Sequence, residues 1–358
     1  MIITELKSIL QENFSNLSKN RLNFLSMFIK VLLIHKRVNL SFLAPYFSST
    51  AKISSNYRRM QRFFLEFRFN EHELAEFVLK NNPNKNYVLL LDRTEWKFGK
   101  SVINILMLSI SYKGYSLPLM WDFLPNRGNS SSYERAFLLR RFVKKFGSGK
   151  IKYLLADREF IGESWFKFLL ENKIHFKIRV RSNFLIKSNN ERITLKRKFS
   201  YLNRIGLFDY LNNVRLLNHN NLTIFAKRVS AKEYLFIISD LPHGKFDEEY
   251  SERWQIETMF GDFKKKGFNL EETHMSDQKK LNTLIAIISI AYIWIIKTGT
   301  QELRKNNIKP KRYQKKVYLI KSVFKTGLEI ISRAIYFYEE DITSKQELFQ
   351  IAKLLSCS

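Results

Sequence analysis

Two aspartates stand at the ends of apolar segments, where a carboxylate needs a partner. Asp92 follows Leu89–Leu91 in YVLLLDRTEWKF, and Asp157 follows Tyr153–Ala156 in IKYLLADREF. A carboxylate near the end of a buried strand is unfavourable unless it is paired or bound to a cation. The pair predicts either a cation site where two adjacent strands end or, as the alternative, two carboxylates that accept hydrogen bonds from loop amides.

A stripe of polar side chains lies on a predicted helix further along the chain. The segment YSERWQIETMFGDFKKKG places Tyr250, Arg253, Glu257 and Lys264 at spacings of three, four and seven residues. On one helix these four would lie within roughly 60° of one another. A stripe facing the core would be apolar, and a solvated one would hardly need a tyrosine. The alternative is a solvated face with ion pairs between residues four apart.

These segments resemble the bacterial insertion-sequence transposases of the large insertion-sequence-four family. The spacing Tyr-x2-Arg-x3-Glu-x6-Lys is the YREK signature of that family. The segments LDRTEWKFGKSVINILMLSISYKG and LLADREFIGESWF resemble its two acidic motifs, and GFNLEETHM is also similar. The resemblance extends over residues 85–305 with specific motifs and over residues 1–80 in general character.

The resemblance implies a DDE active site in which Asp92, Asp157 and Glu257 are catalytic and bind two Mg²⁺ ions, with Mn²⁺ as a substitute. Cleavage of a phosphodiester needs an activated nucleophile and a stabilised leaving oxygen, and two cations provide both. Hard cations take oxygen ligands, so three carboxylates suit Mg²⁺. The implied reaction is cut-and-paste DNA transposition.

The partner that the resemblance implies is double-stranded DNA, both the terminal inverted repeats and the target, bound by a homodimer in a synaptic complex. Phosphates of the element's end would be contacted by Tyr250, Arg253 and Lys264. The implied setting is the bacterial cytoplasm, in association with the nucleoid. Two alternatives remain: another RNase H-like nuclease such as a resolvase, and a non-catalytic DNA-binding protein derived from a transposase.

The order of predicted elements favours an α/β fold. Three strands, a helix, a strand, a helix and a strand are the order of an RNase H-like mixed sheet flanked by helices. We expect a helical DNA-binding domain at 1–82, the RNase H-like core at 83–181 and 248–300, a β-rich insertion at 182–247, and a basic helical region at 301–358. Some relatives hold a flipped base with a tryptophan of this insertion during hairpin formation. The insertion here has no tryptophan, and its candidates for stacking are Tyr201, Phe208, Tyr210 and Tyr234.

The net charge restricts the partners. The chain has 61 Lys or Arg and 33 Asp or Glu among 358 residues, a formal charge of +28. Such an excess favours a polyanion as partner, because bound phosphates release counterions. Two basic segments are candidate DNA contacts, although either could be a solvated face: Arg58, Arg59 and Arg62 on one predicted helix, and Lys311, Arg312 and Lys315 near the C-terminus.

Other features argue against a membrane and a disulfide framework. The N-terminal residues include Glu5, Lys7 and Glu12, where a signal peptide would be apolar. The longest apolar run, Leu284–Ile296, is shorter than the ~20 residues of a spanning helix and predicts a buried helix. Cys357 is the single cysteine, which excludes a disulfide within the chain and a zinc finger, and fits a reducing cytoplasm.

Overall fold

The computed structural model describes residues 2–47, 50–98, 101–125, 127–188, 191–306, 311–313, 316–318, 322–337 and 342–355. The chain divides into two compact units. The helical unit contains Met1–Pro83, Lys97–Ser101 and Met259–Ser358, and the sheet unit contains Asn84–Trp96 and Val102–Thr258. Lys315 and Cys357 lie outside the described residues.

Five helices open the helical unit. They are α1 (Ile2–Asn13), α2 (Lys19–His35), α3 (Leu40–Phe47), α4 (Ile53–Glu66) and α5 (Glu71–Lys80). Phenylalanines fill the space between them: the Phe24 ring stacks on that of Phe63 with centroids 3.9 Å apart, and Phe28 meets Phe64 edge-on at 5.3 Å. Such contacts between buried aromatic rings stabilise a helical core.

The sheet unit follows. Its strands are β1 (Tyr87–Phe98), β2 (Ser101–Tyr112), β3 (Tyr115–Leu124), β4 (Ile151–Ala156), β5 (Phe176–Val180), β6 (Leu185–Ser188), β7 (Glu191–Thr194), β8 (Phe208–Leu216), β9 (His219–Arg228) and β10 (Tyr234–Ser239). Its helices are α6 (Ser132–Phe146), α7 (Glu163–Glu171), α8 (Leu195–Lys198) and α9 (Phe246–Ser251), and α10 (Trp254–Phe263) continues into the helical unit. The α/β class and the large mixed sheet expected from the sequence are confirmed.

Eight strands form one sheet in the order β3-β2-β1-β4-β5-β10-β9-β8. The pairings β1–β4 and β4–β5 are parallel, whereas β2–β3, β5–β10, β10–β9 and β9–β8 are antiparallel. The strands β8 to β10 belong to the segment 182–247 and extend the main sheet, while β6 and β7 form a separate hairpin.

The first strand is longer than the sequence predicted. Asp92 was expected near the end of its strand, but β1 continues six residues beyond it to Phe98. The pairing with β4 ends at Leu91 and Ala156, so the polar continuation Arg93–Lys97 lies beside β2, the other neighbour of β1 in the sheet. Asp157, by contrast, directly follows β4 as predicted.

The chain closes with α11 (Gln278–Lys305), β11 (Lys311–Tyr313), β12 (Lys316–Tyr318), α12 (Val323–Tyr336) and α13 (Ile342–Lys353). The short hairpin of β11 and β12 corrects the wholly helical region expected at 301–358. Aromatic and β-branched residues, Tyr313, Val317 and Tyr318, favour strands there.

Helix α11 is the core of the helical unit. It has 28 residues, so it exceeds the apolar run seen in the sequence, and by length and composition alone it could cross a membrane. However, 89% of its most apolar 18-residue window is buried inside the protein. The expectation of a buried helix is confirmed, while the expectation that it is too short to span a bilayer is wrong.

Polar contacts from the sheet hold the segment around α9. The Lys177 ammonium in β5 lies 2.5 Å from Glu249 Oε2, and Ser111 of β2 donates to Glu252 at 2.6 Å. Lys227 of β9 pairs with Asp247. Lys177 is 2% exposed, and burial lowers the pKa of its ammonium. A buried cation of this kind needs its carboxylate partner.

We therefore expect Glu249→Gln to lower the free energy of unfolding by about 3 kcal/mol, because it leaves Lys177 buried without its counter-charge. Chemical denaturation of the full chain measures the change. The matched control is Glu171→Gln, which removes the exposed pair with Lys167. That control should change stability by less than about 0.5 kcal/mol, and equal effects of the two substitutions would contradict the argument.

Candidate functional site

The parallel pairing of β1 and β4 brings the two aspartates together. Leu91 pairs with Ala156 in this register, and the next residues on the two chains are Asp92 and Asp157. Neighbouring strands lie about 5 Å apart. Asp92 and Asp157, which were predicted from separate apolar segments, therefore directly follow a pair of residues that are neighbours in one sheet.

Asp92 is largely enclosed. Its side chain is 14% exposed, its Oδ1 accepts from the Arg93 backbone N–H at 2.7 Å, and its Oδ2 lies 3.2 Å from Arg253 Nη1. Burial raises the pKa of Asp92 to about 7, although the Arg93 N–H and the Arg253 guanidinium act in the opposite direction. The charged form of this carboxylate is thus incompletely balanced by its protein neighbours.

Arg253 links two of the three predicted catalytic residues. Its Nη1 contacts Asp92, and its Nη2 lies 2.5 Å from Glu257 Oε1. The Arg253 side chain is 7% exposed, whereas that of Glu257 is 34% exposed. One guanidinium therefore neutralises part of the charge of both carboxylates and fixes their distance from each other.

The helix that carries these residues is interrupted, which corrects the prediction of one continuous helix. Helix α9 ends at Ser251 and α10 begins at Trp254. Between them Arg253 N–H donates to Tyr250 O at 3.0 Å and Gln255 N–H to Glu252 O at 3.0 Å. Bonds three residues apart wind the chain more tightly than an α-helix, so the residues do not share one straight face.

Tyr250 is a buried residue next to the second aspartate. It is 7% exposed, and its hydroxyl donates to Ala156 O at 3.3 Å and lies 3.5 Å from Asp157 Oδ1. Burial raises the pKa of Tyr250, so the phenol stays protonated. Its ring packs inside the sheet unit, and its predicted contact with DNA remains a prediction.

A turn after β4 positions Asp157. Arg135 of α6 donates to Glu159 O at 3.0 Å, and its guanidinium lies 4.9 Å from the Phe160 ring. Arg93 Nε contacts the Glu159 carboxylate at 3.4 Å. These two cations hold the turn that begins at Asp157, which restricts where that carboxylate can lie.

The other predicted DNA contacts belong to the helical unit. Lys264 follows α10 and belongs to the helical unit, where its Nζ is 3.5 Å from Glu271 Oε1. On α4 three arginines are exposed: Arg58, Arg59 and Arg62. The Arg59 guanidinium stacks over the Phe47 ring at 5.4 Å. The backbones of Lys311 and Arg312 form part of β11. All of these DNA contacts remain predictions.

The candidates for base stacking have different surroundings. Tyr201 is 55% exposed and Phe208 is 57% exposed, whereas Tyr234 is 8% exposed. The Tyr210 hydroxyl donates to the carbonyl of Gly244. Two of the four rings, those of Tyr201 and Phe208, are therefore open to a base.

A basic cleft near Asp157 was missed by the sequence analysis. The cleft has a volume of about 380 Å³ and is lined by five cations: Arg158, Arg179, Arg181, Lys196 and Lys232. One carboxylate, Glu233, also lines it and contacts Arg179 at 3.0 Å. The alternation of Arg179 and Arg181 along HFKIRVR signalled part of this surface, because residues two apart share a face of a strand.

Among the described residues, no group of three or more His, Cys, Asp or Glu side chains is close enough to hold a metal ion. Asp92 and Glu257 nevertheless share one cation, the Arg253 guanidinium, and Asp157 lies beside Asp92 in the register of the sheet. All three offer carboxylate oxygens, which are the donors for hard divalent ions. The type of donor atom therefore fits such an ion, whereas the spacing of the three side chains does not bring them into one group in the described structure.

Residues 83–294 match the family described as Transposase DDE domain. The chain is a member of this DDE transposase family. The matched residues, more than half of the chain, include Asp92, Asp157 and Glu257. The predicted membership of a DDE transposase family is thereby confirmed, while the YREK branch and the bacterial origin remain predictions.

Two other comparisons complete these findings. No curated protein matches the chain. Among solved structures, the cryo-EM structure of a piggyBac transposase synaptic complex with hairpin DNA is similar, with a TM-score of 0.49 and 13% sequence identity. The similarity covers 99% of this chain and 82% of that chain.

The burial of Tyr250 predicts a difference between two substitutions. Tyr250→Phe keeps the packed ring and loses a long hydrogen bond, so it should lower the unfolding free energy by about 1 kcal/mol or less. Tyr250→Ala leaves a cavity and should lower it by about 4 kcal/mol. Urea denaturation distinguishes them, and similar losses for both would contradict the assignment of the ring to the core.

Proposed function

We propose that this transposase-family protein is a cut-and-paste transposase. It would bind the inverted-repeat ends of its element as a homodimer, hydrolyse phosphodiester bonds there, and join the resulting 3′-hydroxyls to target DNA. The observation that carries the proposal is the register of β1 and β4, which sets Asp92 beside Asp157, with Glu257 linked to Asp92 through Arg253.

We infer that the first five strands form an RNase H-like catalytic core. Support comes from the strand order β3-β2-β1-β4-β5, with β1, β4 and β5 parallel and β2 paired antiparallel with β3. Two of the three carboxylates belong to neighbouring strands of this core, Asp92 within β1 and Asp157 directly after β4. On this proposal β8 to β10 are an addition to the far edge of that core.

We infer that Asp92, Asp157 and Glu257 together hold Mg²⁺, two ions with Mn²⁺ as a substitute. Support comes from the pKa of Asp92, which burial raises to about 7 and which a divalent cation would lower. Bound cations of this kind activate a water or hydroxyl nucleophile and stabilise the leaving oxygen. Before the ions bind, Arg253 would pair with Asp92 and Glu257, and it would release their oxygens to the ions.

The basic cleft supplies a path for the DNA strand. Arg158 directly follows Asp157, and Arg179 and Arg181 lie at the end of the neighbouring strand β5. Guanidinium groups can bind a phosphate through two parallel hydrogen bonds. These arginines would hold backbone phosphates next to the bond that is cut, and so orient it towards the carboxylates.

The chief alternative is a protein that binds DNA without cutting it. The ion pairs support this alternative, because Arg253 pairs with both Asp92 and Glu257, as a residue with a purely structural role would. Cleavage of end DNA decides between the two functions, because a non-catalytic protein would bind the same DNA without nicking it.

The proposal predicts the effect of removing each carboxylate. Asp92→Asn, Asp157→Asn and Glu257→Gln should each lower the rate of end cleavage by about a thousandfold or more, because the amide keeps the shape but not the charge that holds the cation. A gel-shift assay beside a cleavage assay with Mg²⁺ should show binding to end DNA largely intact. Normal cleavage by any one variant would remove that residue from the site.

Arg253 and a divalent ion should compete for the same carboxylates in the absence of DNA. Arg253→Gln removes a fixed positive charge 3.2 Å from Asp92, so it should tighten Mn²⁺ binding by about tenfold, or about 1.4 kcal/mol. Titration followed by electron paramagnetic resonance measures the free ion. The control is Arg140→Gln on α6, which should leave the affinity unchanged. Weaker binding by the Arg253 variant would show that the guanidinium organises the ligands instead.

A further inference from the structure

A second basic cleft lies at the opposite end of the sheet from the candidate active site. It has a volume of about 570 Å³ and is lined by Lys85 before β1, Lys113 in the β2–β3 turn and Lys152 in β4. Strand β4 runs from Lys152 towards Asp157, and five residues of strand span about 17 Å. Lys152 therefore lies at the other end of β4 from Asp157, whereas two more lining residues, Glu252 and Gln255, flank Arg253 in the chain.

The charge of this cleft is positive. It is lined by three lysines and one carboxylate, Glu252, whose Oε2 already accepts a hydrogen bond from Ser111 at 2.6 Å. Within the described parts of the chain, none of the three lysines forms an ion pair. Lys113 and Lys152 instead lie over tyrosine rings, with their ammonium nitrogens 4.9 and 5.3 Å from the ring centres.

Gln255 gives a second, independent indication of a polar ligand. It lines the same cleft, and its Oε1 is buried without a hydrogen-bond partner among the described residues. The NH₂ group at the other end of this carboxamide can donate to an acceptor in the cleft. Ammonium groups and amide donors together suit phosphate oxygens.

We propose that this cleft binds backbone phosphates of a second segment of duplex DNA, distinct from the segment that reaches Asp92 and Asp157. The inference rests on the proposed function in taking DNA as the polyanion. Its lysines act as point charges and position DNA without reading its sequence. A protein that must hold an element's end and another stretch of DNA at once has use for two such surfaces.

The test compares two triple variants of the full chain with equal loss of charge. One is Lys85→Gln, Lys113→Gln and Lys152→Gln together. The control is Lys144→Gln, Lys167→Gln and Lys173→Gln, three exposed lysines of the sheet unit that do not line the cleft. Binding to a long linear duplex is measured as a function of salt, and cleavage of a short end duplex is measured at saturating protein.

If the cleft holds three phosphates, the slope of log K against log salt should become shallower by about 2.7 in the cleft variant. The control should keep the wild-type slope, and a variant with arginine at the three cleft positions should restore it. Cleavage of the short duplex should be unchanged.

Equal slopes for the cleft variant and the control would overturn the inference. The protein could also fail to cut DNA while the cleft variant still shows the shallower slope. That result would support the second DNA surface and contradict the proposed transposase activity. The two claims are therefore tested separately by the two measurements.

Discussion

The candidate site depends on one interaction, the contact of a buried guanidinium with two carboxylates. Arg253 bridges Asp92 on the sheet and Glu257 on α10, so it joins the element that carries one acid to the element that carries another. Removing charge from water is unfavourable, and the pairing offsets that loss only if the geometry is held. Contacts from the sheet to α9, including Lys177 with Glu249, hold it.

The sequence could predict that two residues of the candidate site would lie together, because both follow the same local pattern. An apolar run followed by an acid marked Asp92 and Asp157, and parallel pairing of β1 with β4 then brings them together without any further signal. It could not predict the interruption between Ser251 and Trp254, because the contacts that hold α9 come from strands distant in the sequence. For the same reason the length of β1 depends on its neighbours in the sheet.

Neither basic cleft could be predicted from the sequence, for a related reason. One draws its cations from segments between Arg158 and Lys232, and the other draws its cations from segments between Lys85 and Lys152. In neither cleft do the cations follow one another in the sequence. The composition therefore gives the net charge of +28 but not where in the structure that charge lies. The structure distributes part of that charge to the two ends of the sheet, with the carboxylates near one of them. Positive charge at both ends suits a protein that holds more than one stretch of DNA.

The central claim is that Asp92, Asp157 and Glu257 form one site for divalent ions. The most direct measurement replaces Mg²⁺ by Fe²⁺ and generates hydroxyl radicals at the bound ion with ascorbate and peroxide, so that the chain is cut next to its metal ligands. Mass spectrometry of the fragments should find cuts beside all three residues, and excess Mg²⁺ should suppress them together. Cuts elsewhere, or cuts beside these residues that Mg²⁺ does not suppress, would contradict the account.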